Sequence, residues 1–379
     1  MKSIRRHGLA LLWALAVLLG GGSGHAFACA ICLSAVSVTT GQRLDAADQI
    51  VLAVPIDDGQ RFRAMEIVKG DVLPGAIVEA SADSAEPADP RGGMPHLLAR
   101  NGLSGRWTSY GMIGPGHAGW LREFVKTNDG PSKRPPRAWP LTSALQAVDT
   151  TNWSKRIFLI APHLESEDPL AAEIAFGELS RAPYEAMRLL RPTLDADKVR
   201  GWIEDPVLSP RHDAYLLLLG IAGNADDATK LERRLAEARA SQDATYLAAM
   251  LAADLELNGP SRVAWVEENY LADRSRSVPE IEAALLALSV HGGAVGAISR
   301  QRIVDAYRRF IRERQPMAGF VAPYLSEWRA WDAVPDYVEV LRSNAVKDPA
   351  GQFAILVYLR DSPDTVARSA AEAFTAHAN

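Results

Sequence analysis

Five prolines set the rhythm of this chain. Pro169, Pro206, Pro279, Pro316 and Pro349 each open an apolar-periodic segment, at intervals of 37, 73, 37 and 33 residues. Proline is tolerated in the first turn of a helix because the amide it lacks would have no intrahelical partner there. Asp168, Asp205 and Asp348 each stand directly before one of these prolines. An Asp in that place caps a helix, because its carboxylate accepts from the first free amides. The double interval puts a further start near residue 242, where Ser241-Gln242-Asp243 precedes Ala244-Thr245-Tyr246-Leu247. Second helices are expected at 226–240 after 213–220, at 261–271 after 243–257, and at 299–314 after 280–291. Helix pairs recurring at this spacing cannot bury their apolar faces singly, so the pattern predicts an α–α superhelix of stacked pairs.

Residues 29–140 keep a different period. Residues 49–54 form a short β-branched run closed by Pro55, and Asp57-Asp58-Gly59-Gln60 has the composition of a turn. Phe62, Ala64, Glu66 and Val68 then alternate with Arg63, Met65 and Ile67, the period of a strand. Further strands are expected at 76–80, 96–100 and 106–113, and a helix at 118–125. Loops are expected at 81–93 and 127–140, both rich in Asp, Pro and Gly. Five short strands with tight turns predict a small antiparallel β-barrel or sandwich. The expected fold class is α+β, with a leader at 1–28, a β-rich domain at 29–126, a linker at 127–151 and helical repeats at 152–379.

The leader reads as an export signal. Lys2, Arg5 and Arg6 precede an uncharged apolar run from Leu9 to Leu19, and Ala26-Phe27-Ala28 supplies small residues at a peptidase site. The run is shorter than the ~20 apolar residues a membrane span needs. A soluble exported chain, periplasmic or secreted, is the expectation. Three of the 41 basic residues lie in the leader, leaving 38 against 46 acidic ones and a net charge of −8. That balance argues against nucleic acid as a partner, because neutralising phosphates needs a concentrated basic face.

Cys29 and Cys32 are the only cysteines, in Cys-Ala-Ile-Cys directly behind the leader. In an oxidising compartment such a pair closes a local disulfide, exchanges disulfides, or holds a soft metal such as copper or zinc. The local disulfide is the preferred reading, since nothing but the leader precedes Cys29. Thiol exchange needs a strand before the motif and a helix N-terminus to lower the thiol pKa. Leu33 stands where haem attachment requires His. His96 and His117 are available to complete a zinc site, yet no His-x-x-x-His spacing supports one. Lipidation of Cys29 would give membrane contact, but a lipoprotein signal carries Leu where Ala26 stands. Cys29 before a β domain is similar to the mature cysteine of tissue inhibitors of metalloproteinases. Those carry Cys-x-Cys and distant disulfide partners, neither of which this chain has.

Asp168-Pro169-Leu170-Ala171-Ala172-Glu173-Ile174-Ala175-Phe176 and the segments in register with it resemble the HEAT-repeat family of α-solenoids over roughly 153–377. The resemblance implies a scaffold with a concave binding face. Phe62-Arg63-Ala64-Met65-Glu66-Ile67-Val68-Lys69-Gly70 resembles a hairpin element of small exported bacterial β-domains, which implies no activity. Gly114-Pro115-Gly116-His117-Ala118-Gly119 matches a dinucleotide fingerprint as a string. Pro115 removes an amide from the loop that would cradle phosphate, so a strand-to-helix turn is expected instead.

His163, His212, His291 and His377 are scattered, and no His-Glu-x-x-His, Gly-x-Ser-x-Gly or Walker loop occurs. In the helix expected at 300–314, Ile303, Val304, Tyr307, Phe310 and Ile311 share one face, while Arg302, Arg308, Arg309 and Arg312 occupy the other. These four arginines are the candidate partner-binding residues. Trp202, Trp265 and Trp328 read as packing between helices. The expected function is a non-catalytic interaction or scaffold protein without a cofactor, its partner another envelope protein or a peptide. The alternative is a thiol–disulfide or soft-metal protein working through Cys29 and Cys32.

Overall fold

The computed structural model describes residues 38–378 apart from 57–59, 83–92, 103–104, 129–150, 294–295 and 297. The described residues form two compact units that divide between Ala182 and Pro183. Helices at 153–160 and 169–181, which share the later helical rhythm, thus cluster with the sheet.

Among its described residues the first unit opens with helix α1 (Thr40–Ala46), which the strand-dominated reading of this region does not anticipate. It starts on a capping box: the Thr39 hydroxyl accepts from the Gln42 amide at 3.1 Å, and the Thr39 amide donates to the Gln42 side chain at 3.0 Å. Five strands follow: β1 (Gln49–Ile56), β2 (Arg61–Lys69), β3 (Ile77–Ala82), β4 (His96–Arg100) and β5 (Trp107–Met112). They pair in the order β1-β2-β3-β5-β4, and β4 also pairs with β1. The sheet is mixed, not antiparallel throughout as expected from sequence. β5 runs antiparallel to β4, with His96 opposite Met112, and therefore parallel to β3, with Ala80 opposite Trp107. The long connection from β3 to β4 permits this, because a parallel neighbour cannot be reached by a tight hairpin.

Val51, Ala53, Phe62, Ala64, Val78, Leu98 and Trp107 form the core of the sheet. Ile50 and Leu52, on the opposite face of β1, are buried as fully, so this strand is covered on both sides. Helix α2 (Ala118–Val125) has the limits its sequence predicts and packs on β2. Thr127 and Asn128 meet Thr151 and Asn152: the Asn152 amide donates to the Thr127 carbonyl at 2.6 Å, and Asn128 bridges Thr151. Helices α3 (Trp153–Ile160) and α4 (Pro169–Arg181) then pack on each other, and α4 also meets α1 and β5.

The second unit is helical among its described residues. It comprises α5 (Tyr184–Arg188), α6 (Ala196–Glu204), α7 (His212–Ala222), α8 (Ala225–Ser241), α9 (Leu247–Asn258), α10 (Ser261–Val266), α11 (Val278–Gly293), α12 (Arg300–Glu313), α13 (Ala322–Glu327), α14 (Val334–Ser343), α15 (Pro349–Asp361) and α16 (Thr365–Ala378). α10 runs on as a π-helical turn, Glu267–Leu271. Packing follows a rule. α7 packs on α9, α9 on α11, α11 on the 3-10 segment Gln315–Val321, and that segment on α15. A second series runs from α10 to α12, α12 to α14 and α14 to α16. Glycines mark two close approaches in the first series: a Cβ on Gly319 would lie 2.4 Å from the Gly351 Cα of α15, and one on Gly220 2.7 Å from the Ala253 Cα of α9.

Asp168, Asp205 and Asp348 all cap as expected, with their carboxylates accepting from amides two or three residues on. The elements they start differ. Pro169 and Pro349 open α-helices, whereas Pro206 opens the 3-10 turn Pro206–Arg211. Pro210 follows four residues later, where an α-helix would need its missing amide and would clash with the carbonyl of Pro206. The start expected near 242 falls at Leu247, because Gln242 and Tyr246 both adopt left-handed backbone and turn the chain between α8 and α9.

Candidate functional site

The arginines of α12 stand on the exposed side of a helix whose apolar face is buried, as the sequence pattern requires. The four candidate residues, Arg302, Arg308, Arg309 and Arg312, each face a carboxylate. Arg308 Nε meets Asp336 Oδ2 at 2.7 Å and Arg312 Nη1 meets Asp336 Oδ1 at 3.1 Å, so two cations of α12 share one carboxylate of α14. Arg302 pairs with Glu267 of the π-helical turn after α10. Arg309 pairs with Glu313 of its own helix at 2.8 Å. Three of the four therefore tie α12 to its neighbours on either side. The basic face is largely neutralised within the chain.

A different cationic surface lies on α6, α7 and α8. A cavity of about 190 Å³ is floored by Ile203, Leu216, Leu219 and Leu231. At its edge Arg200 holds Asp227 through two hydrogen bonds, at 2.8 and 2.9 Å. These bonds, more than any other cause, hold the Asp227 carboxyl below its ordinary range. Lys230, Arg233 and Arg234 complete the edge and are exposed. Their i, i+3, i+4 spacing is legible in the sequence, yet they lack the clear apolar-against-basic split that marks α12.

The first unit concentrates its charge inside. Arg156 is fully buried, donates to Asp45 at 2.6 and 2.8 Å, and pairs with Glu178 at 3.0 Å. Glu178, also fully buried, takes Arg181 at 2.8 Å and the Thr39 hydroxyl at 3.2 Å. Asn128 donates to Asp45 at 2.9 Å. Arg156 lies over the Phe124 ring at 4.0 Å and Arg181 over Trp153 at 5.1 Å. Burial pushes the Glu178 carboxyl up, with the two arginines opposing it. This network joins α1, α2, α3 and α4, and its closed geometry suits it to holding the unit together.

Asp168 performs a second joining role. One oxygen caps α4, and the other accepts the Gly114 amide at 2.6 Å and stands 3.5 Å from His117 Nε2. The glycine-rich stretch at 114–119 is thus a strand-to-helix turn pinned by a carboxylate. His163 packs on Trp120 with ring centroids 4.2 Å apart, and on His117 at 5.2 Å. Burial, and then the charge of His117, lower the His163 pKa. His96 is placed elsewhere, buried on β4 against Phe62 with Nδ1 3.1 Å from Ser109. Among the described residues no three His, Cys, Asp or Glu side chains form a group able to hold a metal ion. Cys29 and Cys32 lie outside the described residues.

Trp202 packs on Tyr215, Trp265 on Tyr270, and Trp328 stacks on Tyr307 at 5.7 Å over the backbone of Gly292. No protein-family model, no curated protein and no solved structure matches this chain.

Proposed function

We propose that the chain is an exported, non-catalytic scaffold that binds another envelope protein or a peptide along a HEAT-like solenoid. One observation supports this reading above the others: each helix of the series α7, α9, α11, Gln315–Val321 and α15 packs on the next. Nearest-neighbour packing of this kind is how helical repeats share one continuous core and present an extended face. The ring of strand pairings β1-β2-β3-β5-β4 is read alongside it as a small barrel that serves as a second module. Export rests on Lys2, Arg5, Arg6, the Leu9 to Leu19 run and Ala26-Phe27-Ala28. No helix among the described residues is long and apolar enough to cross a membrane.

The test is chemical cross-linking of the exported full chain in envelope extract, with cross-linked positions mapped by mass spectrometry. The expected result is one partner joined through positions confined to a single face of residues 183–378. Cross-links scattered over all faces, or none, would overturn the scaffold reading. Intact-mass measurement of the same material reports the mature N-terminus and the oxidation state of Cys29 and Cys32. A readily reduced pair would shift the reading to thiol chemistry.

A further inference from the structure

The cavity on α6, α7 and α8 combines two chemistries. Its floor residues Ile203, Leu216, Leu219 and Leu231 are each at most 8% exposed, so they are held firmly by the core and show a small apolar area to the cavity. Its edge carries Lys230, Arg233 and Arg234, which project from one face of α8 at i, i+3 and i+4. Like charges at that spacing repel. Among the described residues no carboxylate forms an ion pair with any of the three. Asp227 is taken by Arg200 and acts on Lys230 only at longer range. Glu204, exposed at the end of α6, is the remaining acid of the lining, against three cations. α12 differs here, since Arg302, Arg308, Arg309 and Arg312 are matched by carboxylates of the chain and Arg300 by the Gly292 carbonyl.

The cavity measures about 190 Å³ and opens to solvent, so it receives the apolar part of a ligand rather than enclosing a whole one. An apolar floor beneath an uncompensated cationic edge calls for a ligand with the same two parts.

We propose that this cavity binds an aliphatic carboxylate. Its hydrocarbon lies on Leu216, Leu219 and Leu231, and its carboxylate is held by Lys230, Arg233 and Arg234. Two sources share this chemistry: the free carboxyl end of a peptide whose last residue is aliphatic, and a free short-chain acid. The site does not depend on the scaffold reading.

The test is calorimetric titration of the full chain with N-acetyl-leucine, N-acetyl-leucinamide, hexanoate and hexanol, at low and high salt. Both acids should bind, with affinity falling as salt rises, and the two uncharged analogues should bind at least ~10-fold more weakly. The double substitution R233Q/R234Q should weaken acid binding about 10-fold or more, since hydrogen bonds to charged groups carry that much. Both residues are exposed, so its melting curve should match that of the parent chain. Tighter binding of N-acetyl-leucine than of hexanoate assigns the site to peptide ends, and the reverse assigns it to free acids. Failure of both acids to bind, equal binding of the uncharged analogues, or an unchanged affinity in the double variant would overturn the proposal.

Discussion

Arg156 and Arg309 both face carboxylates, and the two contacts are of similar length. Their surroundings make them different interactions. Arg156 is fully buried against Asp45 and Glu178, so removing the guanidinium would leave Asp45 with only the Asn128 amide and Glu178 with only Arg181 and Thr39, all largely shielded from water. Arg309 is 48% exposed and its partner Glu313 is 42% exposed, so water takes over when either side chain is lost. The lesson is that the number of ion pairs says little about what they hold. What decides the cost of breaking one is where the remaining charge is left.

The largest expected effect follows directly. Arg156→Ala should lower the stability of the first unit by about 3–5 kcal/mol, the cost of removing one partner from a buried ion-pair network. Chemical denaturation monitored by tryptophan fluorescence measures it, and a loss below ~1 kcal/mol would break the comparison. Gly41→Ala comes next. A Cβ at this position would run into the Glu178 carboxylate, so the substitution must displace Glu178 or α1. Such overpacking costs about 1–3 kcal/mol. Combining it with Arg156→Ala should give less than the sum of the two losses, because both act on one network.

Asp213 on α7 sharpens the contrast, since it is partly buried without an arginine. Burial pushes its pKa up to about 6, with His212 opposing. A carboxyl whose folded pKa exceeds its unfolded value of 3.8 binds more protons in the folded state between those limits. Its contribution should therefore be fully present below about pH 4, decline as pH rises to about 6, and stay level above. Asp213→Asn should flatten that slope. A slope unchanged by the substitution would show that Asp213 is not its source.

The smallest effects belong to α12. Asp336→Ala leaves Arg308 and Arg312 without their shared partner and should cost about 1 kcal/mol. Arg309→Ala should cost no more than ~0.5 kcal/mol, and 1 M salt should erase the difference. Thermal melts of both variants at two salt concentrations measure this ordering. An Arg309→Ala loss larger than that of Asp336→Ala would reverse it.

Local chemistry was legible in the sequence where it is governed by neighbours along the chain. The alternation of residues 62–68, the limits of α2 and the capping aspartates all follow from contacts a few residues apart. α1 was legible too: Thr39 and Gln42 stand three apart, as a capping box requires, but the surrounding strand pattern draws attention away from it. The buried network was not legible. Asp45 and Arg156 are 111 residues apart, and only the packing of α1 against α4 brings Glu178 between them. The two-faced character of α12 was plain, yet nothing local shows that Glu267 and Asp336 meet its arginines. The parallel pairing of β3 with β5 was likewise out of reach, because it depends on where a long connection returns.

The hydrogen bonds that join Thr127 and Asn128 to Asn152 and Thr151 have a practical consequence. They hold the end of α2 and the start of α3 together through described residues on either side of positions 129–150. For a flexible insert between fixed ends, closure entropy grows only with the logarithm of length, about 0.6 kcal/mol for each doubling. A fluorescent reporter or an affinity handle inserted there should leave α2 and α3 docked as they are, which makes this seam the natural place to label the molecule.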